Sequence, residues 1–513
     1  MRGTAPVRLG IDFGTTRTVV AVVDRGNYPV VSFADTEGDM VDHFPTVIAD
    51  TPEGPLFGFD ALAAAESGAP VLRSIKRHLG SPEVNGTTMV RLGDRELPLL
   101  DLITDFLAAL HQALRTSSSI APLLDPDPEA RPPAMVAVPA HAHGAQRFWT
   151  LEAFDRAGFE VQRLVNEPSA AAYEYTHRQA RTLNSRRTRV LVYDLGGGTF
   201  DASLVRVDGT DHEILASVGV NRLGGDDFDE VLAHLTATVA GESFEDWDRP
   251  DQQALIDQAR QAKEGISPQT RRVVLEVADR PVTVAVPDFY DLATDLVETT
   301  VAVLSPLVGE LGSGGADSDI AGIYLVGGAT GLPLVPRILR EHYGRRVHRS
   351  PTPAASTAIG LAIAADPEAD YQLTDRLSRG FGVFREADDG STLDLDEVFA
   401  PDQITGGAGV ITRRYQPVHN IGWFRFVEYQ PGAEAWHGDL MPYGDLVMPF
   451  AADLEALEDT DLRTRDVAVA WPETDGPWVH ERFEVDDQGI ITVTITNEDS
   501  GHTRTRRLTS SDG

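Results

Sequence analysis

A glycine-rich turn between two apolar runs carries the residue types most able to bind an anion. It lies in the segment Arg189 to Val205, RVLVYDLGGGTFDASLV, and its glycines are Gly196, Gly197 and Gly198. Glycine lets the backbone bend sharply and approach a ligand closely, so that several N–H groups converge on one anion. The next residue, Thr199, adds a hydroxyl group. We therefore predict a strand, a phosphate-binding turn and a second strand.

Two carboxylates, Asp194 and Asp201, lie on either side of this turn. Mg²⁺ prefers oxygen ligands and often keeps its waters, which such carboxylates can hold. The pair therefore predicts a divalent cation beside the phosphate site. For this segment by itself, a glycine-rich hairpin flanked by two solvated aspartates is the alternative interpretation.

The same order of residue types occurs near the N-terminus, in VRLGIDFGTTRTVVAVV. There an apolar strand is followed by Asp12, Gly14, Thr15 and Thr16, and a second β-branched strand comes next. An internal repeat of this kind indicates two related lobes with a phosphate hairpin in each. A nucleotide between the lobes would then contact both hairpins.

Lysine is nearly absent from the chain, since arginine supplies the positive charge everywhere except at Lys76 and Lys263. A lysine kept in such a sequence indicates a position that needs a compact ammonium group. Lys76 lies in VLRSIKRHLG, on a short helix or loop before a glycine. Lys263 lies on an amphipathic helix predicted over Ala254 to Ser267.

Hydrophobic periodicity predicts the elements that position these groups. In chain order they are helices over Asp60 to Glu66 and Leu99 to Arg115, a buried strand ending at Pro139, a helix over Gly144 to Ala157, a strand around Glu160 to Val165, a helix opening at Pro168 and a small-residue helix over Ser356 to Ala365. Glu167 precedes the helix that opens at Pro168, so we expect its carboxylate to face the cleft.

Two further glycine turns precede helices, in NRLGGDDFD from Asn221 and in IAGIYLVGGATGLPLVPRIL, which contains Gly327 and Gly328. Helix N-termini after such turns favour anions or a ligand backbone. His141 and His143 are spaced i, i+2 in a loop without a third ligand, so we predict that they are solvated and bind no metal.

Composition limits the classes of function. The 513 residues exceed what one hydrophobic core supports, and they include no cysteine for disulfides, thiol chemistry or metal ligation. The net charge of −35 argues against nucleic acid or an anionic membrane as a general partner. No run approaches the ~20 apolar residues of a membrane span, and no apolar signal core precedes the first strand. We expect a cytoplasmic protein.

From Tyr371 onward, helical runs give way to short alternating segments. They are Trp423 to Tyr429, Val467 to Ala470 and Phe483 to Thr496. The last segment contains a turn at Asp487-Gln488-Gly489. We predict a separate β domain of roughly 140 residues.

Seven motifs together resemble the seventy-kilodalton heat-shock chaperones of the actin-like ATPase superfamily. In order over about 365 residues they are IDFGTT, SIKRHLG, VAVPA with AQR, NEPSAAA, YDLGGGTFD, LGGDDFD and LVGGAT. The resemblance implies a two-lobed actin-like (ribonuclease H-like) α/β ATPase domain over residues 1–370, with lobe I over about 1–185 plus 352–370 and lobe II over about 186–351. A linker over 371–380 and an all-β, sandwich-like domain over 381–513 follow, without the family's helical lid.

The resemblance also implies roles for individual residues. Asp12, Thr15 and Thr16 correspond to the first phosphate loop and residues 196–199 to the second. Asp12 and Asp194 correspond to groups that hold hydrated Mg²⁺. The other implied roles are water orientation for Lys76 and Glu167, assistance from Thr199 and Asp201, a relay to the β domain for Pro139 and Arg147, and nucleoside contacts for Gly225, Lys263, Ser267, Gly327 and Gly328.

The nucleoside pocket departs from the family pattern. Gly331 replaces an arginine against the adenine face, Ala329 a serine, Ala354 an aspartate and Arg260 a ribose-contacting glutamate. We hypothesise that Arg260 partly replaces the stacking cation, because a guanidinium stacks well on flat rings. The linker keeps only Leu373 and Leu377 of a leucine-rich segment, which predicts weak coupling of ATP state to the β domain.

The leading interpretation is therefore an ATP-dependent chaperone with slow, Mg²⁺-dependent conversion of ATP to ADP. Its implied partners are a polypeptide client or a dedicated protein, with a co-chaperone and an exchange factor. A nucleotide-sensing interaction module with negligible hydrolysis is the alternative. A sugar kinase or a filament-forming relative is disfavoured by NEPSAAA, DLGGGTFD and the appended β domain.

Overall fold

The structure is a computed structural model that describes residues 6–508, except 82, 141, 180–186, 221, 279, 309–318, 370, 375–378, 388–391, 401–408, 430–439 and 473–474. His141, Asn221 and Leu377, which the sequence singles out, lie outside these described residues. Among the residues described, none of the helices has the length and apolar character needed to cross a bilayer.

The first part of the chain places a mixed sheet behind the N-terminal glycine turn. The strands of this part of the chain are β1 (Leu9–Phe13), β2 (Arg17–Val22), β3 (Phe33–Ala34), β4 (Met40–Val41), β5 (Phe44–Pro45), β6 (Val47–Thr51), β7 (Gly54–Phe57), β8 (Val71–Arg73), β9 (Met89–Leu92), β10 (Arg95–Pro98), β11 (Pro133–Val138) and β12 (Glu160–Asn166). Its helices are α1 (Phe59–Glu66), α2 (Lys76–Leu79), α3 (Leu99–Thr116), α4 (Gly144–Arg156) and α5 (Glu167–Gln179). Strands β1, β11 and β12 are parallel in the sheet order β12-β11-β1-β2-β5, and β11 is buried along its whole length.

The second part repeats this arrangement behind the second glycine turn. Its strands are β13 (Arg189–Leu195), β14 (Phe200–Asp208), β15 (Asp211–Val220), β16 (Arg272–Val277), β17 (Arg280–Ala285), β18 (Ile320–Val326), β19 (Val347–Arg349) and β20 (Gln372–Thr374). Its helices are α6 (Gly225–Ala240), α7 (Arg249–Glu264), α8 (Val286–Val308), α9 (Leu334–Tyr343) and α10 (Ser356–Ala365). The sheet order is β19-β18-β13-β14-β15-β20, so β20 lies at its edge against β15. In both parts the glycine turn joins antiparallel strands of a larger sheet.

Helix α10 packs between the first sheet and helix α5, and two glycines make this close approach feasible. A side-chain carbon on Gly360 would lie 1.7 Å from the carbonyl oxygen of Ala170 in α5. A side-chain carbon on Gly10 in β1 would lie 2.3 Å from the backbone nitrogen of Ala362. Both distances are far below van der Waals contact with rigid backbone atoms, so α10 fixes the spacing of strand β1 and helix α5.

We expect Gly360→Ala to destabilise the protein by ~3 kcal/mol, because the new methyl group must push α10 away from α5. Chemical denaturation followed by circular dichroism measures this loss. The control on the same helix is Ala364→Gly, which should cost only the ~1 kcal/mol of helix propensity. Equal losses in the two variants would contradict the steric argument.

The last part of the chain forms two facing sheets of alternating strands. They are β21 (Gly380–Ala387), β22 (Thr392–Phe399), β23 (Val410–Tyr415), β24 (Ile421–Tyr429), β25 (Leu440–Pro449), β26 (Val479–Val485), β27 (Ile491–Asn497) and β28 (Thr503–Arg507), with a short helix, α11 (Asp459–Leu462). The sheet orders are β22-β21-β24-β25 and β23-β26-β27-β28, and Phe381, Phe426 and Phe483 meet between them. An α/β part followed by a β sandwich confirms the predicted fold class.

Two local predictions differ from the structure. Helix α7 begins at Arg249, because the Asp248 side chain caps it through the amide of Asp251 at 3.0 Å, and it ends at Glu264 before Gly265. Ser267 is therefore outside the helix predicted to carry it. Residues 467–470 form no strand and make a single β-bridge, from Val469 to His419.

Candidate functional site

The two aspartates of the repeated pattern lie at equivalent strand ends on either side of a cleft. Asp12 is in β1 and Asp194 is in β13, and both line the cleft. Asp201 lies directly opposite Asp194 in the β13–β14 ladder and is buried behind it. The repeat in the sequence therefore corresponds to two carboxylate-bearing strand ends that face one space.

A buried ion pair joins the first lobe's short helix to helix α5. The Lys76 Nζ atom donates a hydrogen bond to Glu167 Oε1 at 2.6 Å, and both side chains are buried. Lys76 is the first residue of α2, and Glu167 is the first residue of α5, where a carboxylate is favoured by the helix dipole. The structure thus brings together the lysine and glutamate to which the family resemblance assigns the orientation of water.

The charges in this space are unbalanced. Burial raises the pKa of Asp12 to about 7, and Glu167 adds to that increase while Lys76 opposes it. Burial likewise raises the pKa of Glu167 and of Asp194. Burial by itself lowers the pKa of Lys76, but Glu167 and Asp12 outweigh it and raise that pKa. Three carboxylates, with Asp201 close behind, therefore surround one ammonium group.

The two glycine turns face each other across the cleft. A side-chain carbon on Gly197 would lie 2.8 Å from the Thr16 side chain, and one on Gly198 would lie 2.9 Å from Thr15. Within the second turn, the Gly196 amide donates to the Thr199 carbonyl at 3.0 Å. Larger residues would separate the turns, so the glycines allow the two lobes to approach closely.

A third glycine turn packs onto the second. The amide of Gly225 donates to the carbonyl of Gly196 at 2.9 Å, and helix α6 begins there. Lys263 from α7 donates to the Gly225 carbonyl at 2.6 Å and pairs with the buried carboxylate of Asp229, also at 2.6 Å. The second lysine therefore fixes the turn at the N-terminus of α6.

Arg260 belongs to the same network. Its guanidinium pairs with Asp229 at 3.1 Å, Asp226 at 3.2 Å and Asp257 at 3.4 Å, and only 17% of its side chain is exposed. The pKa of Arg260 is raised because these carboxylates outweigh the effect of burial. Its predicted stacking on a base stays a prediction, and its guanidinium already has partners.

The cleft has a volume of about 370 Å³, within the range of small-molecule sites. Most of the predicted site residues line it, namely Asp12, Gly14, Thr15, Thr16, Lys76, Glu167, Asp194, Gly196, Gly197, Thr199, Gly225, Arg260, Lys263, Gly327 and Gly328. Gly198, Asp201 and Ser267 do not line it. The Gly198 carbonyl instead accepts from Arg77 at 2.8 Å, and the exposed Ser267 is hydrogen-bonded to Thr270.

Gly327 directly follows strand β18 and lies beside Asp194. A side-chain carbon there would lie 2.3 Å from Asp194 Oδ1, and the backbone φ of 83° is one that L side chains rarely adopt. Both constraints require glycine at this position.

Residues 131–372 match the family described as Hsp70 protein. The chain belongs to the Hsp70 family. It is 33% identical over 402 residues to the "Chaperone protein HscA" of Klebsiella pneumoniae subsp. pneumoniae and to that of Salmonella agona, covering 73% of this chain and 61% of each relative. The HscA of Enterobacter sp. (strain 638) is 33% identical over 406 residues, with the same coverage. The chain thus spans about 61% of the length of these Hsp70-family relatives.

Sequence reasoning missed several charged residues of this Hsp70-type cleft. Arg17 and Glu264 form an ion pair although they are far apart in the chain, and both line the cleft. Arg73 pairs with Asp257 at 3.1 Å and also joins the two lobes. Arg349 also lines the cleft. Partners distant in sequence leave no local pattern, so only the fold shows these pairings.

The β sandwich contacts the Hsp70-type α/β part at helix α4 and strand β12. Arg147 Nε donates to the Gln488 carbonyl at 2.9 Å, and the Gln488 side chain accepts from the Leu164 amide at 2.7 Å. It also donates to the Gln162 carbonyl at 3.1 Å. Because β12 is the edge of its sheet, Gln488 satisfies backbone groups that would otherwise face solvent.

The N-terminus of α4 makes a second contact. Both carboxylate oxygens of Glu428 accept from the Gly144 amide, at 3.0 and 3.1 Å, and Arg379 lies 3.7 Å from the same carboxylate. His143 precedes the helix, and its Nδ1 accepts from the Gln146 amide at 3.1 Å. The prediction that His143 is solvated is therefore wrong, because it is a buried helix cap.

We expect the equilibrium constant for docking of the β sandwich on α4 to increase about tenfold as the pH falls from 8 to 6. Burial raises the pKa of Glu428 to about 7, although Arg379, the Gly144 amide and Arg147 oppose that increase. Once Glu428 is exposed its pKa returns to the ordinary 4.5, so the docked state binds the extra proton. The stabilisation of the docked state by protonation of Glu428 is complete below the ordinary pKa of 4.5, and it is lost as the pH rises through 7.

Hydrogen exchange at the Leu164 amide, corrected for the intrinsic rate, measures this contact. Glu428→Gln should remove the pH dependence and strengthen docking at pH 8, whereas Glu484→Gln on β26 should change neither. The protonation states of His143 and Tyr443 do not change between pH 6 and 8. Burial lowers the pKa of His143 to about 4 and raises the pKa of Tyr443 above its usual value. If protection of the Leu164 amide still depended on pH in the Glu428→Gln variant, the assignment of the pH dependence to Glu428 would be contradicted.

Proposed function

We propose that this protein is an ATP-dependent chaperone-like ATPase that hydrolyses ATP slowly with Mg²⁺ and couples hydrolysis to polypeptide binding. The observation that carries the proposal is the buried Lys76–Glu167 pair beside the carboxylates of two facing glycine turns. Transfer of a phosphoryl group to water requires mainly positioning and charge neutralisation, which such a site supplies.

The excess of buried carboxylate fits a divalent cation. Asp12, Glu167 and Asp194 all have raised pKa values, which indicates that the surrounding positive charge is insufficient to hold them ionised. Asp12 and Asp194 would hold Mg²⁺ through water, because Mg²⁺ keeps much of its hydration shell. When bound, the ion supplies charge neutralisation to the phosphates.

The chain's own groups have separable tasks in this proposal. The ammonium of Lys76 orients the attacking water and the terminal phosphate, and Glu167 holds that ammonium in place. The amides of residues 14–16 and 197–199 bind phosphate oxygens, since glycine turns expose backbone N–H groups. Thr199 adds its hydroxyl, and Asp201 supports the cluster from behind.

A continuous set of contacts supports coupling to the β sandwich. Glu167, which holds Lys76, follows Asn166 in the chain, and Asn166 Oδ1 accepts from Arg147 at 3.0 Å. Arg147 in turn contacts Gln488 of the sandwich. A change at the phosphate site can therefore reach the sandwich through one arginine. The predicted relay residue Pro139 directly follows β11, and the expectation of weak coupling stays a prediction.

We further propose a polypeptide client or a dedicated protein as the partner of the sandwich, with a co-chaperone, an exchange factor and a cytoplasmic location. A nucleotide sensor without hydrolysis remains the alternative, favoured by the small residues Ala329, Gly331 and Ala354 that line the cleft.

Single-turnover hydrolysis of ATP by the full chain, with calorimetry of ATP binding, separates the two functions. Slow Mg²⁺-dependent turnover that changes on adding unfolded polypeptide supports the chaperone. Tight ATP binding without turnover supports the sensor. Absence of ATP binding would contradict both.

A further inference from the structure

Among the described residues, one of the cationic side chains that line the cleft has no partner in the protein. The cationic side chains that line the cleft are Arg17, Lys76, Arg260, Lys263 and Arg349. The first four are ion-paired with carboxylates. Within the described part of the chain, the exposed guanidinium of Arg349 makes no hydrogen bond or ion pair. An arginine on a cleft wall that lacks a protein partner is available to a ligand.

Strand order locates Arg349 relative to the phosphates. Strands β13, β18 and β19 are parallel neighbours, so their carboxyl ends form one row along the cleft. Asp194 is paired with Val326, and Arg349 with Leu325. Arg349 is thus two strands from Asp194, or about 10 Å at the ~4.8 Å spacing of strands. If the phosphates lie at β13, the nucleoside extends toward β19.

The wall beside Arg349 is apolar. The residues of 327–332 and 353–354 that line it are glycine, alanine, leucine and proline. Thr330 faces elsewhere, since its buried hydroxyl donates to the Gly327 carbonyl at 2.7 Å. A side-chain carbon on Gly331 would lie 3.4 Å from a terminal nitrogen of Arg349, so glycine leaves room for the guanidinium. Arg349 therefore lies beside an apolar wall, a combination that suits a flat ring.

We propose that Arg349 stacks on the base of the bound nucleotide and that the site takes adenine and guanine nucleoside triphosphates with similar affinity. The inference rests on the proposed function. A guanidinium stacks on any purine, and in the ring plane it also pairs with acceptors such as those of guanine. Because the apolar wall has no polar side-chain atom that could hydrogen-bond a base edge, that wall does not distinguish the two purines. Arg260, held by three carboxylates, is assigned to positioning α6 and α7 instead.

Calorimetry on the full chain with Mg²⁺ and three probes, ATP, GTP and tripolyphosphate, tests the proposal. We expect ATP and GTP to bind the wild-type chain within about threefold of each other. Arg349→Ala should weaken both by about 3- to 30-fold, the range that a cation–aromatic contact supplies, and leave tripolyphosphate unchanged. Arg349→Lys should recover only part of the loss, since an ammonium lacks the planar stacking surface.

Arg345→Ala is the matched control, because Arg345 is exposed nearby and does not line the cleft. It should bind all three probes like the wild type. The assignment to Arg349 would be overturned if Arg349→Ala left ATP binding unchanged. It would also be overturned if Arg260→Ala, instead of Arg349→Ala, weakened the binding of ATP and GTP but not that of tripolyphosphate. GTP binding more than about 100-fold weaker than ATP binding would overturn the shared purine specificity. Failure of the wild-type chain to bind ATP and tripolyphosphate would overturn the proposed function itself.

Discussion

Replacing Lys76 by alanine is expected to lower the rate of ATP hydrolysis by about 10²–10³-fold, the usual effect of removing one donor aimed at developing charge. Lys76 is the ammonium among the buried carboxylates of Asp12, Glu167 and Asp194. In the proposed mechanism its loss leaves the attacking water without its orienting donor, and it also adds to the uncompensated negative charge. ATP binding should change much less, because in the same proposal the glycine turns contact the phosphates and the residues around Lys263 contact the nucleoside.

Single-turnover assays measure the chemical step apart from product release. Lys263→Ala is the matched control, since it removes the chain's other lysine, whose ammonium lies 2.6 Å from Asp229 on the far side of the third turn. We expect Lys263→Ala to weaken binding more than turnover, which is the opposite pattern. If Lys76→Ala turned over ATP at the wild-type rate, water orientation would have to be assigned to another group.

The sequence predicted the elements whose signals are local. The apolar runs before Asp12 and Asp194 became β1 and β13, and the periodic segment at Leu99 became α3, because strand and helix patterns depend on neighbours within a few residues. The repeated order of aspartate, glycine and hydroxyl residues likewise predicted two strand ends that face one cleft. Most of the predicted site residues line that cleft for this reason.

What the sequence did not predict depends on contacts between distant segments. Arg349 reaches the cleft because β19 lies beside β18, and that strand order is set by two crossovers. The Arg17–Glu264 pair exists only when the two lobes face each other. The sequence prediction for His143 was wrong because a loop histidine and a buried helix cap have the same sequence environment. No distinctive capping motif marks the start of helix α4 at Gly144. The contacts of Glu428 and Gln488 join segments that are hundreds of residues apart.

Replacing Gly144 by alanine is expected to separate the β sandwich from helix α4. A side-chain carbon on Gly144 would lie 1.8 Å from the Tyr443 hydroxyl oxygen and 2.1 Å from the ring carbon that bears it. Tyr443 is buried in the sandwich and packs 6.1 Å from the ring of Phe381, so it has little room to move. Alanine is a better helix former than glycine, so the substitution stabilises α4 itself and any loss belongs to the interface.

Overpacking of this size costs about 1–3 kcal/mol or more, which corresponds to at least a roughly fivefold increase in hydrogen exchange at the Leu164 amide. That amide donates to Gln488 only while the sandwich is docked. Adding Tyr443→Leu to Gly144→Ala removes the ring and should restore protection, while Gly86→Ala, which meets only the Trp149 side chain at 3.2 Å, should leave it unchanged. Wild-type protection in Gly144→Ala would show that the sandwich does not rest on α4 in solution. It would then remove the path from Glu167 through Arg147 on which coupling of the phosphate site to the sandwich depends.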